Sequence, residues 1–238
     1  RSFTDIWEGG MPSYLIWLNA RLIEMKRLLK STGSIYVHLD YHAVHYVKME
    51  MDKIFGYDQL RGEIVWSNET SSGFKAQANK WIRGHDTILY YTKTNKFTFN
   101  KQYNKLDERT IQRYDKVDSK GRKYKIYYAK DRSKRIVYLE KSKGRPVSTV
   151  WSDIPSFQTV NNTGEYIGYP TQKPEKVLER IITASSNEGD LVADFCVGGG
   201  TTAAVAQKLN RRWIACDQSR VAVAITQGRL ESLYEKVR

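Results

Sequence analysis

Apolar residues recur at three- and four-residue steps between residues 13 and 30 (Leu15, Leu18, Leu22, Met25, Leu29), which predicts an amphipathic helix. Ser31-Thr32-Gly33 closes it, with Gly33 expected as a left-handed cap. SIYVHL at 34–39 is apolar, β-branched and aromatic, and predicts a buried strand. Val44, Val47, Met51 and Ile54 form a second helical stripe, closed by Gly56. GEIVWS at 62–67 and DTILYYT at 86–92 predict two further strands.

From about 95 to 160 the long apolar runs vanish and charges interleave with tyrosines (Tyr103, Tyr114, Tyr124, Tyr127, Tyr128, Tyr138). YKIYY and RIVYLE predict strands of a small inserted β-rich unit. Beyond it, TQKPEKVLERIITASS at 171–186 predicts a helix, with Pro174 in its first turn and Val177, Leu178, Ile181 and Ile182 on its buried face. LVADF predicts a strand, TTAAVAQKL a helix, RWIACD a strand, and residues 219–236 a last helix. This alternation predicts an α/β fold with parallel strands and crossovers. The shifts in texture divide the chain into 1–95, 96–160 and 161–238.

Charge sharpens the reading of the middle segment. The 238 residues carry 39 Lys and Arg against 26 Asp and Glu, a net +13. Residues 101–150 alone hold 16 basic and 6 acidic residues, a surplus of +10. A polyanionic partner, nucleic acid above all, is expected there, because Lys and Arg meet phosphates while aromatic faces stack on bases. A merely solvated surface is the plainer alternative. Two cysteines are too few for a disulfide scaffold, and no apolar run is long enough to cross a membrane. An intracellular, cytoplasmic home is expected. The opening RSFTDIWEGG has neither an apolar leader nor an initiator Met, which hints at residues upstream.

The chemistry concentrates at DFCVGGGTT, Asp194 to Thr202. A strand, three glycines and a helix form a nucleotide-type turn, since glycine lets backbone approach a ligand without a Cβ. The next strand ends at Asp217, 23 residues after Asp194, where a carboxylate can accept both hydroxyls of a ribose. Gly198-x-Gly200 lacks the third glycine of a dinucleotide fingerprint, Ala203 standing in its place, and no phosphate-loop Lys follows. A tight packing turn is the alternative. His38, His42 and His45 cluster in sequence around Asp40 but straddle a strand end and a helix start. A polar cleft lining is expected rather than a metal site.

The stretch YPTQKPEKVLERIITASSNEGDLVADFCVGGGTTAAVAQKLNRRWIACDQS resembles the C-terminal half of the β-class amino-DNA methyltransferases. DIWEGGMPSYLIWLNARLIEMKRLLKSTGSIYVHLD, EIVWSN and GHDTILYYTK are similar to earlier parts of the same family, and the first helix most resembles adenine-specific modification methylases of restriction systems. The most specific element is TQKP placed ahead of the glycine turn. The resemblance implies a Rossmann-like sheet in circularly permuted order, S-adenosylmethionine (AdoMet) as cofactor, and methyl transfer to N6 of adenine or N4 of cytosine in double-stranded DNA. It implies that Asp194, Phe195, Cys196, Gly198 and Gly200 form the turn under the methionine part of AdoMet. Thr201 and Thr202 open the following helix against its carboxylate, and Asp217 holds the ribose. Thr171, Gln172, Lys173 and Pro174 flank the amino-acid end. The insertion becomes the target-recognition region, and a restriction subunit or a second copy of the chain a candidate partner.

Two departures matter. The family's turn D-P-F-x-G-x-G is here D-F-C-V-G-G-G, with Phe195 at the proline position and Cys196 at the phenylalanine position. The Asp-Pro-Pro-Tyr-type motif, which in the family grips the target amine, is absent: Pro12, Pro146, Pro155, Pro170 and Pro174 are all isolated. In the family it lies shortly upstream of the segment resembling FTDIW, so the catalytic motif is expected before Arg1. Trp66 and Arg83 are expected to line the cleft. Rival readings are a non-catalytic DNA-binding or specificity module and an N4-cytosine enzyme. A nicotinamide-dependent oxidoreductase also shares such a turn, but the order of TQKP before the glycines argues against it.

Overall fold

The computed structural model describes residues 9–67, 77, 79–130, 133–157 and 164–235. The FTDIW resemblance and the last residue of the expected final helix lie outside them. The chain forms two compact units, one of residues 1–100 and 149–238, the other of residues 101–148.

The first unit begins with helix α1 (Gly10–Leu28), strand β1 (Ser34–Leu39), helix α2 (Val44–Phe55), and strands β2 (Leu60–Ser67) and β3 (His85–Thr92). The stripes read from the sequence become the core: Leu18 and Leu22 of α1 and Val44, Val47 and Met51 of α2 pack with Leu89 and Tyr91 of β3. Gly33 does not cap α1 in a left-handed conformation; it has no positive φ. A Cβ there would sit 3.0 Å from both Leu29 Cδ2 and Lys30 O, so close approach is what demands glycine.

The sheet order is β1-β3-β2-β9, where β9 is Val150–Trp151. β3 runs antiparallel to both β1 and β2. β1 and β2 are therefore co-directional, as a crossover through α2 requires, but β3 is inserted between them. No helical stripe separates β2 from β3 in the sequence, and a return without a crossover helix gives an antiparallel pair.

The same unit ends with α4 (Glu175–Ser185), β10 (Leu191–Asp194), α5 (Thr201–Lys208), β11 (Arg212–Ala215) and α6 (Arg220–Glu235). β10 and β11 pair in parallel, with α5 as the crossover. Ile182 of α4 and Val205 and Ala206 of α5 pack on Val192 and Trp213 of this sheet. α4 starts later than expected: Pro174 has ψ 137° and stands before the helix, and a proline also biases residue 173 toward extended backbone. Thr171 to Pro174 are thus a loop. The end of α4 is fastened to the first sheet. Tyr36 Oη lies 2.6 Å from Ser185 Oγ, and the Asn100 N–H donates to Ala184 O at 2.6 Å. Burial pushes the Tyr36 hydroxyl pKa far up, so it stays protonated.

The second unit pairs β4 (Tyr103–Asn104) with β8 (Arg145–Pro146), and β5 (Lys116–Val117) with β6 (Lys123–Tyr128) and β7 (Lys134–Tyr138). Between β4 and β5 lies a short helix, α3 (Glu108–Gln112), whose Asp107 cap accepts the Thr110 N–H at 2.7 Å. Among the described residues no helix is long and apolar enough to cross a membrane.

Candidate cofactor site

β10 and β11 end side by side, and the loops beyond their carboxyl ends interlock. This is where open α/β sheets hold ligands. The Asp194 carboxylate closes the turn on itself, accepting the Cys196 N–H at 3.0 Å and the Thr202 hydroxyl at 2.6 Å. Gly198 and Gly200 have φ of +51° and +75°. A Cβ at Gly198 would meet Tyr169 Cε1 at 3.2 Å, one at Gly199 would meet Tyr169 Cβ at 3.3 Å, and one at Gly200 would meet Thr226 Oγ1 at 2.8 Å. Gly200 is held as glycine by its positive φ and the close approach of Thr226 in α6, and Gly198 and Gly199 pack tightly on Tyr169. The tight packing turn named as the alternative from the sequence is thus part of the reason for these glycines.

Asp217 joins the two loops. Its Oδ2 accepts the Gly198 N–H at 3.0 Å and its Oδ1 the Ser219 N–H at 2.9 Å. A carboxylate has about four lone-pair sites, so two remain for hydroxyl donors. The Thr201 hydroxyl donates to Lys173 O at 3.2 Å, and the Thr202 hydroxyl is held by Asp194. Both side chains are therefore engaged within the protein, and it is the backbone N–H groups of a helix start that favour an anion.

TQKP divides its labour. Gln172 is buried and staples the preceding loop, donating to Glu165 O at 2.6 Å and accepting the Ile167 N–H at 2.9 Å. Lys173 donates to Thr171 O at 2.9 Å, and burial holds its ammonium pKa below the usual lysine value. Thr171 is exposed, while Pro174 walls an apolar hollow of about 140 Å³ together with Ile154, Pro155, Phe157 and the stems of Glu165 and Lys176. Phe195 is half-buried beside Cys196. Burial and the charges of Asp194 and Asp217 push the Cys196 thiol up to about 11, so it is a poor nucleophile at neutral pH.

A buried cation that the sequence did not single out underlies the turn. Arg229 of α6 donates to Gly199 O at 3.0 Å, to Thr201 Oγ1 at 3.1 Å and to Glu175 Oε1 at 2.8 Å. Lys208 takes the other Glu175 oxygen at 2.5 Å. Burial works to raise the Glu175 pKa, but the bonds from Lys208 and Arg229 prevail and hold it low. No local pattern marks Arg229, one of two basic residues on α6.

At the carboxyl end of β1, the histidines do not converge. His38 Nε2 lies 3.3 Å from Asp86 Oδ2, His42 Nδ1 lies 2.7 Å from Asp40 Oδ2, and His45 is exposed on α2. Arg83 pairs with Asp86 and reaches Asp40 at 3.9 Å. Burial, then the charges of Lys173 and Arg83, push His38 down to about 3, so the ring is neutral. The Lys173 charge thus reaches the β1 end. Trp66, expected in the cleft, is core: it is 3% exposed and donates to Ile154 O at 2.8 Å.

The DNA methylase family (N6_N4_Mtase) matches residues 7–228. The type II methyltransferase M.EcaI of Enterobacter cloacae is 28% identical over 91% of this chain and 57% of its own length. The DNA adenine methyltransferase YhdJ of Escherichia coli K12 is 27% identical over 95% of this chain and 69% of its own length. Among solved structures, the cytosine-N4-specific PvuII DNA methyltransferase aligns with a TM-score of 0.60 at 16% identity, covering 96% of this chain and 75% of that one. The M1.HpyAVI–SAM complex aligns with a TM-score of 0.59 at 17% identity, covering 90% and 82%. The chain thus spans little more than half the length of M.EcaI, and it shares the Rossmann-like fold of AdoMet-dependent methyltransferases. A match that runs nearly end to end makes this chain a member of the N6/N4 amino-DNA methyltransferase family.

Proposed function

We propose that this chain carries the cofactor-binding and DNA-binding parts of an adenine-N6 DNA methyltransferase. The observation that carries the reading is the Asp217 carboxylate, which ties the glycine turn to the start of α6 and keeps acceptor sites for two vicinal hydroxyls. In this reading Asp217 holds the ribose of AdoMet. The N–H groups opening α5 and the Lys173 ammonium face its carboxylate, while Asp194 to Gly200 cradle the methionine part. Phe195 and Cys196 belong to that wall. Thr171, Gln172 and Pro174 act through the loop that positions Lys173. AdoMet, when bound, supplies an electrophilic methyl group on sulfonium sulfur. The protein's task is to align that group with a weakly nucleophilic exocyclic amine and to pay for extruding the base from the stack.

Adenine is favoured by the likeness to YhdJ and by the first-helix pattern. Cytosine-N4 is the alternative, since the fold is shared with the PvuII enzyme. The basic unit 101–148 is assigned to target recognition by its surplus of +10. The type II names among the relatives, and a probable type III Mod subunit from Haemophilus influenzae that matches 42% of this chain, favour a restriction-modification setting with a nuclease partner.

No Asp-Pro-Pro-aromatic sequence occurs in the 238 residues, and this favours a second reading, a DNA-binding module that does not itself transfer methyl. Incubating the full-length product of the gene with AdoMet and unmethylated DNA, then analysing nucleosides by mass spectrometry, separates the readings. N6-methyladenine confirms the first, and N4-methylcytosine moves the target. AdoMet binding with no methylated base supports the module. Binding of NAD in place of AdoMet by calorimetry sinks both.

A further inference from the structure

We infer that the distal end of the β6–β7 hairpin enters the major groove of duplex DNA and contacts both of its walls. The inference rests on the DNA-methyltransferase reading and adds the element that meets the substrate. At its base the hairpin is tied to its own unit on both faces. On one face Tyr124 and Tyr138 meet with ring centroids 5.7 Å apart, and Arg122 lies 4.4 Å over Tyr138 while also bonding Asp118. On the other face Lys125 lies 4.6 Å over the buried Tyr114 ring. Toward the tip this support ends. Tyr127 and Tyr128 are each 60% exposed and Ile136 is 55% exposed, with Lys134 and Arg135 exposed beside them.

Successive strand residues point to opposite faces, so the tip carries two different contact faces. Tyr127 stands opposite Arg135 on one of them; Tyr128 opposite Lys134, followed by Ile126 opposite Ile136, on the other. A fold has no use for two tyrosines, an isoleucine and two cations left bare at the end of a ribbon whose base is well tied. Their chemistry fits one partner. The major groove, about 12 Å wide, admits a two-stranded ribbon. Its walls are lined by phosphates for Lys134 and Arg135, and its floor offers base edges and thymine methyls to tyrosine and isoleucine. The positive surplus of the whole unit supplies the long-range attraction.

The test uses this chain, a fluorescein-labelled mixed-sequence duplex and anisotropy across a salt series. Tyr127→Ala/Tyr128→Ala is expected to weaken binding about tenfold with little change in the salt slope. Lys134→Gln/Arg135→Gln is expected to lower the slope of log K against log salt by roughly 2, one unit per lost phosphate contact. Both variants keep wild-type AdoMet affinity and melting temperature, because none of the four side chains supports the fold. If both variants bind the duplex within twofold of wild type and with its salt slope, the hairpin is not the reader, while the methyltransferase reading stands. If wild type binds AdoMet but no duplex, the DNA-binding reading itself falls and the hairpin with it.

Discussion

The Gly198 N–H donates to Asp217 across 3.0 Å, so the turn after β10 is shaped by a carboxylate two residues beyond the end of β11. Asp217→Asn keeps the size but turns one acceptor oxygen into an NH₂ donor facing another donor. Stability is expected to fall by about 1–3 kcal/mol, the cost of one unsatisfied buried group. AdoMet affinity is expected to fall at least tenfold, since ribose hydroxyls lose an acceptor as well. Urea unfolding and calorimetry measure the two effects. Undiminished affinity would remove the ribose from Asp217.

Arg229 links its own helix to two pieces of chain that are far apart in sequence: the turn at Gly199 and Thr201, and Glu175 at the start of α4. Arg229→Met leaves Glu175 with Lys208 alone and strips the Gly199 carbonyl of its donor. A loss of about 2–4 kcal/mol in stability is expected, with roughly tenfold weaker AdoMet binding. Arg229→Lys keeps the charge but not the fork, so it cannot bond Gly199 and Glu175 together. It is expected to recover more stability than affinity. Equal recovery of both would mean that Arg229 is a general brace with no hold on the turn.

The helices and strands were legible because each buries one stripe or one short apolar run. Leu18, Leu22, Val47 and Met51 face the core as their spacing requires. The parallel pairing of β10 and β11 was legible from the helix between them, but the order of the first sheet was not, because β3 lies between β1 and β2 without any local signal. At the site, the glycines and Asp217 stood out by residue type and spacing. Arg229 and Tyr169 did not, because their importance comes from burial against a turn that is distant in sequence. Trp66 misled for the related reason that an indole suits a cleft and a core equally well.

Two glycines on or beside α6 should respond in opposite ways to alanine. Gly200 has φ +75°, and its Cβ would lie 2.8 Å from Thr226 Oγ1 and 3.0 Å from Thr226 Cα. The second contact is backbone, so rotamer changes cannot relieve it. Gly200→Ala is expected to cost about 3 kcal/mol or more, from left-handed strain and overpacking together. Gly228 sits within α6, where a Cβ meets nothing within 4 Å. Gly228→Ala is expected to stabilise by about 0.5–1 kcal/mol. Thermal melts of the two variants check both signs, and a neutral Gly200→Ala would show that the turn relaxes freely.

His38 offers a pH signature for the cleft at the end of β1. Its ring faces Asp86 at 3.3 Å and feels Arg83, Asp40 and the Lys173 ammonium from the neighbouring loop. The folded pKa of about 3 lies below the ordinary 6.5, so through that window the unfolded chain binds the extra proton. Stability from the neutral ring is fully present above pH 6.5 and is lost as pH falls toward 3. Between pH 6.5 and 5 the loss is about 2 kcal/mol, at roughly 1.4 kcal/mol per pH unit. His38→Gln cannot titrate, so its stability should fall by that much less over the same interval in urea unfolding. If both proteins lose stability in parallel, protonated His38 is being accepted by Asp86, and the cations Lys173 and Arg83 do not govern this end of the cleft.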